Sequence, residues 1–241
     1  MSVAAVPPTE TAPLLAAAGL SAGYGGIAAI HDIDLAVAPG EVVALLGANG
    51  AGKTTTILAL CGELAPLAGE VRWDGVPTRD SLTARARDGL GLITEEKSVF
   101  MGLTVAENLR LGRGEPERAL ELFPELRGHL RRRAGLLSGG QQQILTVARA
   151  LAAAPRALLA DELSLGLAPL IVQRLLSAVR TAADRDGVGV LLVEQHVRNA
   201  LQYADRVCVM QRGRIVLRGP AAEMAERIDE IEQSYLAGPA S

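Results

Sequence analysis

The chain has 241 residues, 49% of them hydrophobic and 21% charged, enough for one large core or for a core carrying an inserted subdomain. A formal net charge of −3 and an aromatic content of only 2% argue against a phosphate-backbone footprint and a base-stacking surface, so no nucleic-acid partner is expected. No apolar run reaches the roughly 18 residues that cross a bilayer, and the first Lys or Arg is Lys53, so neither a span nor a signal peptide is expected.

Met1 to Pro13, rich in Ala, Pro and Thr, reads as a loose tail. Leu14 to Leu20 reads as a first strand, broken by Ser21-Ala22-Gly23, and Ile33 to Val37 as a second, ended by Pro39-Gly40. Tyr24, beside Gly25 and Gly26, taken alone is equally consistent with turn packing and with a binding role. The run Val42-Val43-Ala44-Leu45-Leu46 then leads into Gly47-Ala48-Asn49-Gly50-Ala51-Gly52-Lys53-Thr54, and a helix is expected over Thr55 to Leu64. Strand, glycine-rich loop and helix is the context in which G-x-x-x-x-G-K-[ST] cradles phosphate. The glycines free the loop so that backbone N–H groups can converge on one anion. Lys53 would reach the β- and γ-phosphates, Thr54 would place its hydroxyl on Mg²⁺, and the helix presents its positive end. A nucleoside triphosphate is the expected ligand.

Glu70 to Gly75 is a short β-like piece holding the single Trp73, and Gly89 to Thr94 a buried strand. Between that strand and Ala157 the pattern turns helical: Thr104 to Leu111, Pro116 to Leu126 and Gln142 to Ala153. Thr104 and Glu107 have capping-box spacing, and Arg131-Arg132-Arg133 reads as a solvated basic face. Alternation resumes with a strand at Ala157 to Ala160, a helix at Ile171 to Ala183 and a strand at Gly189 to Val193. A helix near Val197 to Ala204, a hairpin of Val207 to Met210 with Ile215 to Leu217, and a helix over Ala222 to Leu236 complete an α/β core with a helical insertion. Cys61 and Cys208, far apart in apolar segments, read as core residues in a reducing compartment.

Two further stretches carry chemistry. Asp161-Glu162 leaves the end of an apolar strand, where a carboxylate can hold Mg²⁺ and its neighbour can polarise a water beside a γ-phosphate. Leu137-Ser138-Gly139-Gly140-Gln141-Gln142-Gln143 places a serine and two glycines before a helix, a second anion site built from a hydroxyl and free N–H groups. Two γ-phosphate sites and one cradle are reconciled if two chains meet head to tail, each completing the other's site.

The order of cradle, LSGGQ-like stretch, acidic strand end and later Gln/His turn resembles the ATP-binding-cassette (ABC) transporter ATPases from about Leu14 to Leu236. The resemblance implies a P-loop core (residues 14–94 and 157–220) with an N-terminal antiparallel β piece, an inserted α-helical subdomain (95–156) and a C-terminal helix (221–236). It implies that Tyr24 stacks on adenine, that Gly47 to Thr54 and Thr55 bind phosphates and Mg²⁺, and that Ser138, Gly139, Gly140 and Gln141 clasp the γ-phosphate held by the opposite subunit. Asp161 would support Mg²⁺, and Glu162 would be the general base or water-orienting group. The loop at Glu95, also close to the metal, would carry the signal to a permease through Glu95 to Leu103. Glu95 stands where the family usually has Gln, Leu163 where it has Pro, and Lys97 is unusual. The switch position falls on Gln195 by strand register, with His196 one place on.

Glu95, the SLGLAP run of residues 164–169, the E-Q-x turn and Phe100 to Leu109 are similar to the ATPase subunits of branched-chain amino acid importers. An ATP-hydrolysing importer subunit is therefore expected, peripheral at the cytoplasmic face of the inner membrane. Its expected partners are a homodimeric or sister ATPase, membrane permeases and, indirectly, a substrate-binding protein. A soluble ABC ATPase acting on ribosomes or DNA is the competing expectation.

Overall fold

The computed structural model describes residues 12–96 and 98–236. Most of the expected tail (1–11) and Lys97 lie outside the described residues. A first sheet is antiparallel. Strand β1 (Leu15–Tyr24) turns at Gly25 and Gly26, both at positive φ, into β2 (Ile27–Val37). The expected break at Ser21–Gly23 is instead continuous strand: three register shifts between Ala17 and Gly23 absorb the irregularity. Gly23 is needed because a Cβ there would stand 1.9 Å from the Ile27 carbonyl oxygen.

Strand β3 (Val42–Leu46) enters a second sheet, and helix α1 (Lys53–Cys61) follows the glycine loop. The helix starts two residues before the expected Thr55 and stops before Leu64, because Gly62 takes the left-handed conformation (φ 87°) and closes its C-terminus. Strands β4 (Ala68–Trp73) and β5 (Val76–Thr78) complete the first sheet in the order β2-β1-β4-β5. Helix α2 (Leu82–Arg87) lies in a stretch where the sequence pattern marks no element; Ser81 caps it by accepting the Ala84 N–H. Strand β6 (Leu90–Ile93) precedes three helices. These are α3 (Val105–Arg110), with the expected Thr104/Glu107 capping box, α4 (Pro116–Leu122) and α5 (Gly139–Ala152). The expected helix to Leu126 ends at Leu122, because Pro124 cannot continue it; a 3₁₀ turn over Pro124–His129 takes its place.

Strands β7 (Ala157–Asp161), β8 (Gly189–Glu194), β9 (Arg206–Gln211) and β10 (Arg214–Pro220) join β3 and β6 in the order β10-β9-β3-β8-β7-β6. All neighbours in this sheet are parallel except β9 and β10. Helix α6 (Pro169–Asp186) links β7 to β8, and α7 (Val197–Tyr203) links β8 to β9. The expected C-terminal helix is two pieces, α8 (Ala221–Ala225) and α9 (Ile228–Leu236), separated where Glu226 and Arg227 donate to carbonyls three residues back.

The large sheet is buried on both faces, so its strands read as unbroken apolar runs. Val190 and Leu192 of β8 pack with α5 and α6, whereas Leu191 and Val193 pack with α1 and the antiparallel sheet. Phe123 is fully buried where α4 gives way to the 3₁₀ turn, and the Arg174 guanidinium of α6 lies 4.5 Å from its ring centroid. Phe123→Ala is expected to cost about 3–5 kcal/mol of stability, read as a lower denaturant midpoint in equilibrium unfolding.

Candidate functional site

Parallel pairing brings three strand ends to one edge. Leu46 pairs with Glu194 and Asp161 with Val193, so the chain leaves β3 at Gly47, β7 at Glu162 and β8 at Gln195 side by side. That is the edge at which parallel α/β sheets bind ligands.

The glycine loop is shaped by close backbone approach. Gly50 and Gly52 lie at φ 77° and 105°; a Cβ on Gly52 would meet Ile30 at 2.7 Å, and one on Gly47 would meet the Met210 carbonyl oxygen at 2.5 Å. Only glycine fits there, and the concavity this leaves suits a phosphate chain. The β9–β10 turn braces it, with Gly213 N–H donating to Ala51 O at 2.8 Å. Lys53 is 4% exposed; its Nζ donates to Gly47 O at 2.9 Å and Ala48 O at 3.1 Å, and stands 3.5 Å from Glu162 Oε1.

The Thr54 hydroxyl donates to Asp161 Oδ2 at 3.0 Å. Asp161 Oδ1 is buried without a hydrogen-bond partner. Burial pushes the Asp161 carboxyl up from its ordinary range, opposed by the Thr54 hydroxyl. An orphaned carboxylate oxygen beside a threonine hydroxyl is the oxygen donor set that Mg²⁺ accepts while keeping waters and substrate phosphates as its other ligands. Glu95 lines the same cavity, but among the described residues no three His, Cys, Asp or Glu side chains close into a metal cluster. Glu162 sits at φ 50°, a left-handed conformation uncommon for a residue with a Cβ, and its N–H donates to Val193 O at 2.9 Å. Gln195 Nε2 donates to Glu162 Oε1 at 2.6 Å.

An open cavity of about 400 Å³ lies here, lined by Asn49, Gly50 and Gly52 to Thr55 of the cradle with Glu95, Glu162, Leu165 and Gln195. His196 lies outside it; it precedes α7 and lines a separate cavity of about 190 Å³ with Ser164 and Gln173. Tyr24, 57% exposed at the tip of β1, is not part of the lining either. Nor is the Ser138–Gln141 stretch, which forms a capping box at the start of α5: Ser138 Oγ accepts the Gln141 N–H at 3.3 Å, and Gln141 Oε1 accepts the Ser138 N–H at 3.0 Å. The two glycines lie within the first turn of that helix rather than before it, and a Cβ on Gly140 would stand 3.3 Å from Ile171 of α6. Leu163 is 1% exposed in the core beneath α6. Ser164 and Glu194 stand out in the sequence only as parts of the SLGLAP and E-Q-x runs; a carboxylate ending an otherwise apolar strand marks Glu194, but nothing local pairs it with Ser164, 30 residues away.

A family model described as ABC transporter matches residues 30–164. The chain belongs to the ABC transporter ATPases. It is 39% identical over 233 residues to BraG of Pseudomonas aeruginosa, a high-affinity branched-chain amino acid transport ATP-binding protein, covering 91% of this chain and 97% of BraG. It is also 34% identical over 234 residues to LptB of Escherichia coli, a lipopolysaccharide export system ATP-binding protein, covering 92% and 96%. The dimeric structure of MJ0796, a bacterial ABC transporter cassette, aligns with a TM-score of 0.77 at 26% identity, over 86% of this chain and 98% of that one. The family read from the motifs therefore holds, as does its α/β P-loop fold: this ABC chain binds and hydrolyses ATP. Among the described residues no helix is long and apolar enough to cross a membrane.

Replacing Lys53 by Ala removes the ammonium at the centre of the cradle. Lys53→Ala is expected to weaken ATP binding by about 10- to 100-fold, measured with a fluorescent ATP analogue on folded protein. Unchanged affinity would count against the cradle.

Proposed function

We propose that the chain powers an importer for branched-chain amino acids or a similar small polar solute, hydrolysing ATP between itself and a second ATPase subunit. The observation that carries the chemistry is that Lys53, Glu162 and Gln195 form one connected group at the mouth of the cradle. Lys53 exchanges its carbonyl partners for phosphate oxygens, a stronger, charge-assisted contact. Glu162 draws the proton of the attacking water, and Gln195 holds Glu162 in place and hydrogen-bonds the γ-phosphate. Gln195 orients without carrying a proton, a task that His196, outside the cavity, is not placed to share. Thr54 and Asp161 would hold Mg²⁺, with Glu95 nearby. The ion, when bound, neutralises charge on the β- and γ-phosphates.

The Ser138, Gly139, Gly140 and Gln141 backbone lies off this cavity, which supports the reading that it serves the γ-phosphate of a head-to-tail partner, a homodimeric or sister ATPase. Tyr24 at the exposed hairpin tip is available to stack on adenine. Exposed Phe100 and Met101, beside a cavity of about 290 Å³ that Phe100 lines with Leu111 and Arg149, fit contact with permease helices through residues 95–103. Through such permeases the subunit works at the cytoplasmic face of the inner membrane, downstream of a substrate-binding protein. The cargo rests on the 39% identity to BraG, set against the 34% identity to the export protein LptB.

Glu162→Gln is expected to keep ATP affinity, accumulate closed dimers and lower turnover by about 100- to 10,000-fold in a phosphate-release assay. Wild-type turnover would overturn the assignment of Glu162. For the cargo, deleting the gene for this chain is expected to abolish high-affinity leucine uptake by cells, with lipopolysaccharide display unchanged; the reverse pattern would contradict import.

A further inference from the structure

Behind the catalytic pair lies a carboxylate that the proposed chemistry does not use. Glu194 ends β8 and is 1% exposed. Its Oε1 accepts the Ser164 backbone N–H at 3.1 Å and its Oε2 the Ser164 hydroxyl at 2.5 Å. Ser164 is itself buried. A carboxylate survives such burial only when it is well hydrogen-bonded, so this pair is a built contact.

The contact closes a ring. Ser164 follows Glu162 by two residues, Gln195 directly follows Glu194, and the Gln195 amide returns to Glu162 at 2.6 Å. Two short backbone segments and two side-chain contacts thus join the end of β7 to the end of β8. One member of the ring, Glu162, holds the left-handed backbone conformation (φ 50°), which persists only when its surroundings over-determine it. The buried side chain of Leu163 pins the same turn from the core.

We propose that Glu194 is a positioning residue: by gripping Ser164 it fixes the turn that presents Glu162 and the aim of Gln195, and so sets the rate of ATP hydrolysis without touching nucleotide. This rests on the reading of Glu162 and Gln195 given above. Geometry rather than charge is what the contact supplies. Burial pushes the Glu194 carboxyl up from its ordinary range, with the Ser164 donors opposing. A glutamine at 194 keeps both contacts, its oxygen accepting the N–H and its amide donating to the Ser164 oxygen.

The test measures ATP turnover and ATP-analogue affinity of the full chain for Glu194→Gln, Glu194→Ala, Ser164→Ala and the double alanine variant, with thermal melts as a fold control. Glu194→Ala is expected to lower kcat by about 10- to 100-fold while affinity stays within about twofold, since displacement of reacting groups by about 1 Å costs on that order. Glu194→Gln is expected to retain most of the turnover. The double variant should be no more than about twofold slower than Glu194→Ala, because Glu194→Ala already removes the hydroxyl contact that Ser164→Ala takes away. Wild-type kcat in Glu194→Ala, a Gln variant as slow as the Ala variant, or parallel losses of affinity and kcat would each overturn the proposal. Should Glu194→Ala fail to fold, Glu194→Met, which fills the same space but offers no carboxylate oxygen to either Ser164 donor, decides: an intact kcat contradicts the proposal, and a reduced kcat at unchanged affinity supports it. Glu162→Gln separates the two readings, because wild-type turnover there removes the role of Glu162 whatever the Glu194 variants do.

Discussion

The parallel registration of β3, β8 and β7 is the constraint on which the rest depends. Leu46 against Glu194 and Asp161 against Val193 are pairings set by backbone hydrogen bonds and by the burial of alternate residues on two different cores. A slip of one residue would turn Leu191 and Val193 towards the helices that now receive Val190 and Leu192. It would also part Glu162 from Gln195 and Lys53. The fully buried apolar strands therefore do more than stabilise: they fix, to within hydrogen-bond length, where three chain segments emerge.

Within that frame the electrostatics favour exchange over creation of contacts. Lys53 is buried but not stranded, since two carbonyl oxygens and the Glu162 carboxylate surround its ammonium. A bound triphosphate would replace neutral acceptors with charged ones, so the cation would not be left bare. Asp161 differs: one oxygen has the Thr54 hydroxyl and the other has nothing, an arrangement that a divalent cation would complete. Gln195, uncharged, can bridge the carboxylate and a phosphate without adding to either charge.

What was legible in the sequence was local. The glycine loop, the Asp161-Glu162 strand end and the Thr104 cap each depend on residues within a few positions, and each stands where its spacing placed it. Strand register, read from the apolar run Leu191–Val193, was enough to put Gln195 rather than His196 in the cavity. Features set by distant partners were not legible. The irregular pairing through Ser21–Gly23 depends on β2, and the Ser164–Glu194 contact spans 30 residues. The end of α4 at Leu122 was legible in principle, since Pro124 is a local signal that the apolar pattern through Leu126 outweighed. That pattern was itself real, because Phe123 and Leu126 are buried beyond the helix.

On the proposed function, Lys53, Glu162 and Gln195 converge on the γ-phosphate of ATP lying along Gly47–Thr54. The most direct test of that convergence is a crystal structure of the chain with Mg²⁺ and a non-hydrolysable ATP analogue. Lys53 Nζ is expected to be drawn from the Gly47 and Ala48 carbonyls onto β- and γ-phosphate oxygens, with the Gln195 amide within hydrogen-bond reach of the γ-phosphate. A triphosphate seated elsewhere, or a Lys53 still folded onto its own loop with the analogue bound, would contradict it.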